Sequence, residues 1–413
     1  MTNSTDPVIL VGAGIGGLFA ALCLERLDIK SILLEKSDAL TEVGAGIQIG
    51  ANGSRLIHQL GLHEAIEKYA SSPSAGQIMD GRSGRFICPY PLNNSSLKRY
   101  QLPYYQIHRG DLQRILIEAV EQRMPNCLQL GSELRVISQD AERVQVTTNS
   151  GERINGRALV GSDGIHSRTR ELLFADGTPR FTGNLAWRAV VPLSKLGQSQ
   201  EWRTPRVWVG PGRHLVQYPV SAGNALNLVA CVETDTAEPE RWQGNSSVEE
   251  LYKAFVGWCP EVKYILSQAD DALKWGLYER PVLSNWSKGR ATLLGDAAHA
   301  MLPSLAQGAV MAMEDAAELA QALNTQSDTV EALQKYQQRR ITRCRKVQQV
   351  ARDNLEFFHQ SSGLKDRLSL RVLALMGKGA ESVIADRYGW LYGYSGLPSE
   401  FEKGDSGTTP NSI

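Results

Sequence analysis

The feature that most restricts the fold is a glycine-rich turn near the N-terminus. An apolar run, Val8–Val11, leads into GAGIGG at 12–17, and a helical pattern of apolar residues follows. A second apolar run, Ser31–Leu34, ends at Glu35. A strand, a tight turn, a helix and a second strand that ends in an acid form the βαβ fingerprint of dinucleotide-binding sheets. The sequence therefore predicts a parallel α/β sheet with a pyrophosphate at its first turn.

The residue types in this turn suit that task. Gly12 permits the tight turn, Gly14 lets the backbone approach a pyrophosphate, and Gly17 lets the helix pack closely on the sheet. The N–H groups at the helix N-terminus attract phosphate, and Glu35 can accept hydrogen bonds from ribose hydroxyls. The fingerprint does not distinguish NAD from FAD, and a glycine-rich turn without a ligand is the alternative. The neighbours expected at the same site are Ile15, Gly16 and Lys36.

Two later stretches repeat one pattern, an apolar strand that ends in small residues and an aspartate. Asp163 lies in VGSDGIHSRTR at 160–170, and Asp296 lies in LLGDAAHAMLP at 293–303. A carboxylate at the C-terminal edge of a sheet can bind a ligand hydroxyl, and small neighbours allow close backbone approach. A strand-end cap is the alternative for either aspartate alone. Together with the glycine-rich turn, they indicate a ligand longer than a mononucleotide.

With these three motifs in this order, the sequence resembles the single-component (class A) FAD-dependent aromatic monooxygenases over about residues 8–345. The resemblance implies that Glu35 binds the adenosine ribose, that Asp296 contacts the ribityl chain of FAD, and that Arg109 in IHRGDLQRIL contacts the flavin. An ordinary surface arginine at a helix start is the alternative for Arg109. The further residues that the resemblance assigns to the cofactor are Asp163, Gly164, Gly295, Gln307, Gly308 and Ala309.

The resemblance also implies NADH or NADPH as a transient reductant and O₂ as a co-substrate. No second complete dinucleotide fingerprint occurs in the sequence, which agrees with a reductant that visits without a Rossmann domain of its own. The Asp163–Gly164 region is associated in this family with both FAD and the pyridine nucleotide.

The segment between 181 and 281 has a different composition. Its runs are short, partly alternating and rich in β-formers, which predicts a mixed or antiparallel sheet as a second layer. Sheet packing explains most of its aromatic residues. Six of the eight tryptophans fall here, namely Trp187, Trp202, Trp208, Trp242, Trp258 and Trp275.

His214 and Tyr218, in HLVQYPV, are the candidate catalytic residues. Positions four apart in a strand point to the same face, so both side chains can face one pocket. A structural role is the alternative for a single histidine in a strand. The pattern His-x-x-x-Tyr-Pro resembles the subgroup of 3-hydroxybenzoate 6-hydroxylases and 6-hydroxynicotinate 3-monooxygenases, which implies that both residues lie at the phenol end of the substrate. A histidine with a pKa near neutrality would suit deprotonation of a phenol.

We predict an α/β fold, with a Rossmann-like FAD-binding domain of the glutathione-reductase type, an inserted β-sheet substrate domain and a helical C-terminal region. The FAD-binding domain would comprise 1–75, 102–180 and 283–350, and the substrate domain 76–101 and 181–282. Residues 351–413 would form the helical region with a frayed tail. The basic stretch 336–358 is interpreted as the solvated face of a helix, with docking of NAD(P)H phosphates by one or two arginines as the alternative.

The composition of the chain limits the kinds of binding partner that we expect. Lys plus Arg equals Asp plus Glu at 44 each, so no overall field favours nucleic acid or an anionic membrane. The six cysteines form no Cys-x-x-Cys pair and no metal site is expected. With no secretory leader or apolar span expected, we predict a cytoplasmic protein. Many family members are homodimers, and the sequence leaves the oligomeric state open.

The function expected from the resemblance is hydroxylation of a small phenolic acid through a flavin C4a-hydroperoxide, with 3-hydroxybenzoate to gentisate as the preferred reaction. Salicylate, a hydroxypyridine or quinolone, urate or a natural product are alternative substrates. A flavin oxidase or reductase without oxygen insertion is the alternative from another reaction class. The sequence does not decide between NADH and NADPH or the tightness of coupling.

Overall fold

The computed structural model describes residues 6–40, 46–197, 199–237, 248–360 and 363–395. Within those ranges the chain forms eighteen β-strands: β1 (Val8–Val11), β2 (Ser31–Leu34), β3 (Gly46–Ile49), β4 (Ala75–Asp80), β5 (Phe86–Pro91), β6 (Tyr105–His108), β7 (Leu128–Gln129), β8 (Leu134–Gln139), β9 (Val144–Thr148), β10 (Arg153–Gly156), β11 (Ala158–Gly161), β12 (Arg180–Pro192), β13 (Arg206–Gly210), β14 (Arg213–Val220), β15 (Ala225–Glu233), β16 (Leu273–Glu279), β17 (Ser287–Lys288) and β18 (Ala291–Leu293).

The same described ranges contain fourteen α-helices: α1 (Ile15–Glu25), α2 (Ala51–Gln59), α3 (His63–Glu67), α4 (Asn93–Tyr100), α5 (Arg109–Arg123), α6 (Arg168–Phe174), α7 (Val248–Ala254), α8 (Pro260–Ser267), α9 (Asp296–His299), α10 (Gly308–Thr325), α11 (Thr329–Phe358), α12 (Leu364–Met376), α13 (Gly379–Arg387) and α14 (Gly389–Tyr392). The frayed tail expected at the C-terminus lies outside the described residues.

A six-stranded sheet carries the three sequence motifs. Its strand order is β17-β18-β11-β1-β2-β7, and all neighbours are parallel except β17 and β18. Strands β1 and β11 are buried throughout, as strands covered on both faces must be. Because the strands are parallel, the turns after β1, β11 and β18 leave the sheet at the same edge. The motifs at Gly12, Asp163 and Asp296 therefore meet there.

A seven-stranded sheet forms the second layer, in the order β16-β12-β15-β14-β13-β4-β5, with only β13 and β4 parallel. One face of β12 packs Trp187 and its alternate neighbours against α7 and α8. Trp202, Trp208 and Trp258 belong to the same cluster, so packing does explain these tryptophans, whereas Trp242 lies outside the described residues. The predicted fold class is confirmed, while the exact domain division remains a prediction.

The basic stretch on α11 has a solvated face, as interpreted, with Arg339, Arg345 and Lys346 exposed, but two of its arginines turn to the protein interior. Arg340 is fully buried, and its guanidinium pairs with Glu314 and Asp315 of α10, each at 2.7 Å. Arg343 also pairs with Glu314 at 2.7 Å. The acidic residues of α10 face this side of α11. The helical spacing within one segment cannot predict such contacts between two helices. Removing one partner of such a buried pair typically costs about 3–5 kcal/mol.

Among the described residues, no helix has both the length and the apolar character to cross a bilayer.

Candidate active site

A cavity of about 1020 Å³ separates the C-terminal edge of the parallel sheet from one face of the seven-stranded sheet. It is at the upper end of the size of ligand pockets and exceeds what a single aromatic ring needs. The structure brings eleven of the seventeen predicted site residues to its wall. They are Gly14, Ile15, Gly16, Arg109, Gly164, His214, Tyr218, Gly295, Asp296, Gly308 and Ala309.

The glycine-rich turn forms an open cradle beside this cavity. A Cβ placed on Gly17 would lie 2.0 Å from the carbonyl oxygen of Gly12, and one placed on Gly12 would lie 2.7 Å from the Cα of Asp163. Gly12 also has a φ of +99°, which favours glycine. A Cβ on Gly14 would meet no other part of the protein within 4 Å, because this residue faces the cavity. Gly12 and Gly17 are thus required by packing, while Gly14 keeps space free for a ligand.

Two helices point their N-termini at the cavity. The first residue of α1 is Ile15 and that of α10 is Gly308, and both line the wall. Neither helix has a side-chain cap at its start. Uncapped N–H groups and the positive end of the helix dipole bind phosphate oxygens well. The cradle at Gly14 and these two N-termini fit the diphosphate of FAD.

Glu35 holds the turn in shape. Its Oε2 accepts a hydrogen bond of 2.8 Å from the backbone N–H of Ala13, and its Oε1 accepts one of 2.9 Å from Ser37. A carboxylate has further lone pairs, so these bonds leave room for a ribose hydroxyl. Glu35 is partly exposed and the next residue, Lys36, is exposed, and neither lines the main cavity. Their contact with the cofactor stays a prediction.

Asp163 makes the contacts of a cap. Its Oδ1 accepts from the Ser167 hydroxyl at 2.5 Å, and its Oδ2 accepts from the N–H of Thr169 at 2.9 Å. Burial raises the pKa of Asp163, although these hydrogen bonds oppose the shift. The carboxylate therefore orders the start of α6, and the adjacent Gly164, with a φ of +78°, is the residue that reaches the cavity.

Asp296 faces the cavity directly. Its side chain is accessible because it points into that space, and its Oδ1 would lie 3.9 Å from a Cβ on Gly308. The surrounding protein displaces water and raises the pKa of Asp296, while His299 and Arg109 partly counteract this. Gln307 differs, since its side chain is buried, accepts a 3.0 Å hydrogen bond from Asn52 and does not line the wall.

His299 belongs to a buried network with Asp315 and Cys344. The ligand-type atoms of the three residues lie within 4.8 Å of one another, a spacing that could suit a metal ion. However, the Asp315 carboxylate already contacts His299 at 2.6 Å and accepts from Arg340 at 2.7 Å. Burial opposes protonation of His299, but Cys344 and Asp315 outweigh it and raise its pKa well above the ordinary value. An ion-pair network accounts for this cluster, and it supports the loop beside Asp296.

His214 and Tyr218 lie on the cavity face of β14, as their spacing predicts. Both are buried, and a Cβ on Gly46 would lie only 2.4 Å from the Tyr218 ring. Burial raises the pKa of Tyr218, slightly opposed by Arg188, so the phenol stays neutral and can donate a hydrogen bond. Burial also lowers the pKa of His214 well below its ordinary value, with His359 adding to the effect. A pKa near neutrality would suit phenol deprotonation, whereas the protein around the ring keeps the pKa of His214 below that range.

Sequence reasoning missed several residues at this end of the cavity. Arg188 of β12 lines the wall and stacks over the Trp275 ring at 4.6 Å. An arginine at an alternate position of an otherwise apolar strand was an available signal. Tyr104 donates to Gln48 at 3.1 Å, and its ring meets that of Tyr392 edge-on, with centroids 6.3 Å apart. No local pattern marked the two contacts of Tyr104, since they join distant segments.

Comparisons with known proteins also indicate an FAD-binding protein. Residues 5–351 match the family model described as FAD binding domain. The chain is 34% identical to 3-hydroxybenzoate 6-hydroxylase 1 of Aquipseudomonas alcaligenes, over 94% of this chain and 97% of the relative. It is 33% identical to 3-amino-4-hydroxybenzoate 2-monooxygenase PtmB3 of Streptomyces platensis, over 96% and 98%. The crystal structure of Klebsiella pneumoniae HpxO complexed with FAD and uric acid superimposes with a TM-score of 0.81 at 24% identity, covering 92% of this chain and 96% of that one.

Proposed function

This chain belongs to the FAD binding domain family and is a class A FAD-dependent aromatic monooxygenase, and from that premise we propose that it hydroxylates a small phenolic aromatic acid, with 3-hydroxybenzoate as the preferred substrate. The observation that carries the proposal is the cavity wall that joins a neutral histidine, a neutral tyrosine and an arginine, His214, Tyr218 and Arg188. The histidine and the tyrosine suit a phenol hydroxyl, and the arginine suits a carboxylate on the same ring.

The proposal assigns the cofactor to the sheet edge. The cradle at Gly14 and the N-termini of α1 and α10 would hold the diphosphate of FAD, and Asp296 and Arg109 would face the parts of the cofactor nearest the substrate. When bound, FAD takes reducing equivalents from NAD(P)H and activates O₂. The protein's task is to position the aromatic ring, set its charge and exclude water.

The substrate end supports a phenol. A phenolate is more electron-rich than a phenol, so a group that removes the hydroxyl proton favours attack by an electrophilic oxygen. His214 lines the cavity, and because burial lowers its pKa, its ring can take the hydroxyl proton only as it passes its own proton to a further acceptor. Tyr218 lies four residues along the same strand and can donate a hydrogen bond to the same oxygen.

The carboxylate would pair with Arg188. Its guanidinium lies over the Trp275 ring, and the planar fork of an arginine can bind a carboxylate with two parallel hydrogen bonds. The two relatives above are named for hydroxybenzoates, which carry both a carboxylate and a phenol. Salicylate, hydroxypyridines, quinolones, urate and larger natural products remain alternative substrates. A homodimer and a cytoplasmic location also remain predictions.

A substrate panel tests this function. The FAD-loaded protein is mixed with NADH or NADPH and one of several phenolic acids or N-heterocycles, and nicotinamide oxidation, hydrogen peroxide and hydroxylated product are measured together. We expect 3-hydroxybenzoate to stimulate NAD(P)H oxidation and to yield gentisate in a near-equal amount. Stimulation by another aromatic alone would refute the preferred substrate. Oxidation that ends entirely in hydrogen peroxide with every compound would support an oxidase instead.

A further inference from the structure

A chain of three side chains leads from the cavity wall to the protein surface. The first is His214, the second is His359 directly after α11, and the third is Glu233, the last residue of β15. We propose that His359 and Glu233 carry to solvent the proton that His214 takes from the phenolic substrate. This inference rests on the proposed function and adds to it two residues that no motif in the sequence marked.

The geometry of the chain is continuous. Nδ1 of His214 lies 2.8 Å from Nε2 of His359, and Nδ1 of His359 lies 3.1 Å from Oε1 of Glu233. Backbone hydrogen bonds hold the same arrangement. The N–H of Gly212 donates to the carbonyl oxygen of His359 at 2.9 Å, and the carbonyl oxygen of Gly212 accepts from the N–H of Glu233 at 2.9 Å. The hairpin turn before β14 thus fixes the end of α11 and the end of β15 beside each other.

The terminal carboxylate sets the tautomer of both rings. An ionised carboxylate only accepts, so Nδ1 of His359 must carry a hydrogen and its Nε2 must be the acceptor. Nδ1 of His214 is then the donor in the 2.8 Å contact between the rings. Nε2 of His214 is left with a free lone pair, which is the form that a base facing the cavity needs.

Exposure changes along the chain in the direction of proton release. His214 is 2% exposed and lines the cavity, and His359 is 1% exposed. The Glu233 side chain is 47% exposed. The inner end therefore meets the substrate and the outer end meets water, with no exposed group between them.

The proton balance closes without any further reactant. The phenol O–H bond breaks as an Nε2–H bond forms on His214, and the Nδ1 proton of His214 passes to Nε2 of His359. The Nδ1 proton of His359 passes to the Glu233 carboxylate, which releases it to water. One proton leaves, a phenolate remains, and both rings end neutral with reversed tautomers, which rotation or a return transfer restores.

The groups around His359 favour onward transfer of the proton over its retention on either histidine. The groups that face His359 are His214 and Arg213 from β14 and Glu233 from β15. Burial lowers the pKa of His359, and Arg213 adds to this, although Glu233 opposes it. Burial lowers the pKa of His214 still further below its ordinary value. Neither ring therefore holds a positive charge, so a proton that enters at His214 must displace one from His214 and then one from His359.

Proton release on substrate binding tests the relay. Oxidised, FAD-loaded protein in weak buffer is mixed without reductant with 3-hydroxybenzoate in a stopped-flow instrument, with a pH-indicator dye reporting protons and the flavin spectrum reporting binding. We expect rapid release of about one proton per substrate bound by the wild type. His359→Gln and Glu233→Gln keep hydrogen bonds but cannot pass the proton, so release should slow by at least about tenfold, with the substrate Kd unchanged within about threefold.

The pH profile supplies a second readout. In both variants the hydroxylation rate should rise with pH toward the pKa of the free phenol, while the wild-type rate stays flatter. Asp235→Asn is the matched control, because it removes an exposed carboxylate two residues beyond Glu233 and should behave as the wild type. A structural role alone would lower stability or affinity and leave this profile unchanged.

The outcomes separate the two proposals. If the wild type hydroxylates the phenol but both variants release protons at the wild-type rate with the wild-type pH profile, the relay is wrong and the proposed function stands. If the wild type hydroxylates no phenol in the panel, the proposed function fails and the relay fails with it.

Discussion

Substitutions at Gly14 and Gly17 should separate the two tasks of the glycine-rich turn, ligand binding and packing. A Cβ on Gly17 would lie 2.0 Å from the carbonyl oxygen of Gly12 and 2.7 Å from Oγ of Ser162. Ordinary contact begins at 3.4 Å, so the backbone of the turn would have to move by about 1.4 Å. Both neighbours directly follow buried strands, Gly12 after β1 and Ser162 after β11, and both are half-buried themselves. Overpacking of this kind costs about 1–3 kcal/mol, and Gly17→Ala should fall in the upper part of that range or beyond it.

Gly14→Ala should behave in the opposite way. Its Cβ would enter open space on the cavity side, so the apoprotein should unfold at nearly the wild-type urea concentration. The extended backbone at Gly14 is open to alanine, and because Gly14 is the N-cap of α1, where alanine is less favourable than glycine, we expect a loss of stability below about 1 kcal/mol. The added methyl group would occupy the space proposed for the FAD diphosphate. We expect the Kd for FAD to rise by about tenfold or more, which corresponds to about 1.4 kcal/mol.

Two assays on the same samples decide the matter. Urea unfolding of the apoprotein reports packing, and quenching of FAD fluorescence on titration reports binding. Wild-type stability in Gly17→Ala would refute the packing argument. Wild-type FAD affinity in Gly14→Ala would refute the placement of the diphosphate at this turn, and equal loss of stability in both variants would show that the two glycines share one structural task.

Two further predictions concern Arg188 and His299. Arg188→Met should raise the Kd for 3-hydroxybenzoate, measured from the flavin spectrum, by about tenfold or more, because a charged hydrogen bond contributes about 1.5–3 kcal/mol. The control compound is 3-hydroxybenzaldehyde, which lacks the carboxylate and should bind the wild type and the variant alike. Equal losses of affinity for the two compounds would contradict the pairing of Arg188 with the carboxylate. Because the pKa of His299 is raised, the native protein keeps a proton that the unfolded chain releases above about pH 6.5. The stability that this group contributes is therefore complete below that pH. It declines as the pH rises toward the native pKa, by up to about 1.4 kcal/mol per pH unit. Urea unfolding between pH 6 and 9 should therefore show a steeper decline for the wild type than for His299→Asn, and identical slopes would refute the charged state of His299.

Several features follow from short stretches of sequence because their causes are local. The turn at 12–17 needs glycine for steric reasons that involve only β1, α1 and the adjacent strand, and the spacing of those elements is visible in the chain. The order of the three motifs identifies the family, and residues 5–351 do match it. The shared face of His214 and Tyr218 follows from the period of a strand, which is a property of the backbone alone.

Other features depend on which surfaces meet, and the sequence could not settle them. The stretch 336–358 was interpreted as a solvated helix face, and one of its arginines, Arg340, instead lies buried against Glu314 because α10 and α11 pack together there. Asp163 was expected at a ligand or a strand end, and its contacts with Ser167 and Thr169 are those of a cap.

The same division holds at the catalytic end of the cavity. Local patterning of β14 was enough to select His214 and to place it with Tyr218 on one side of a strand. The pKa of His214 and its partners were decided by the folded molecule, since His359 is 145 residues away in the chain and reaches it only because α11 ends against the hairpin turn at Gly212. Steric and periodic preferences act over a few residues and can be derived from the letters, whereas dielectric surroundings and hydrogen-bond partners are set by contacts between segments far apart in the chain.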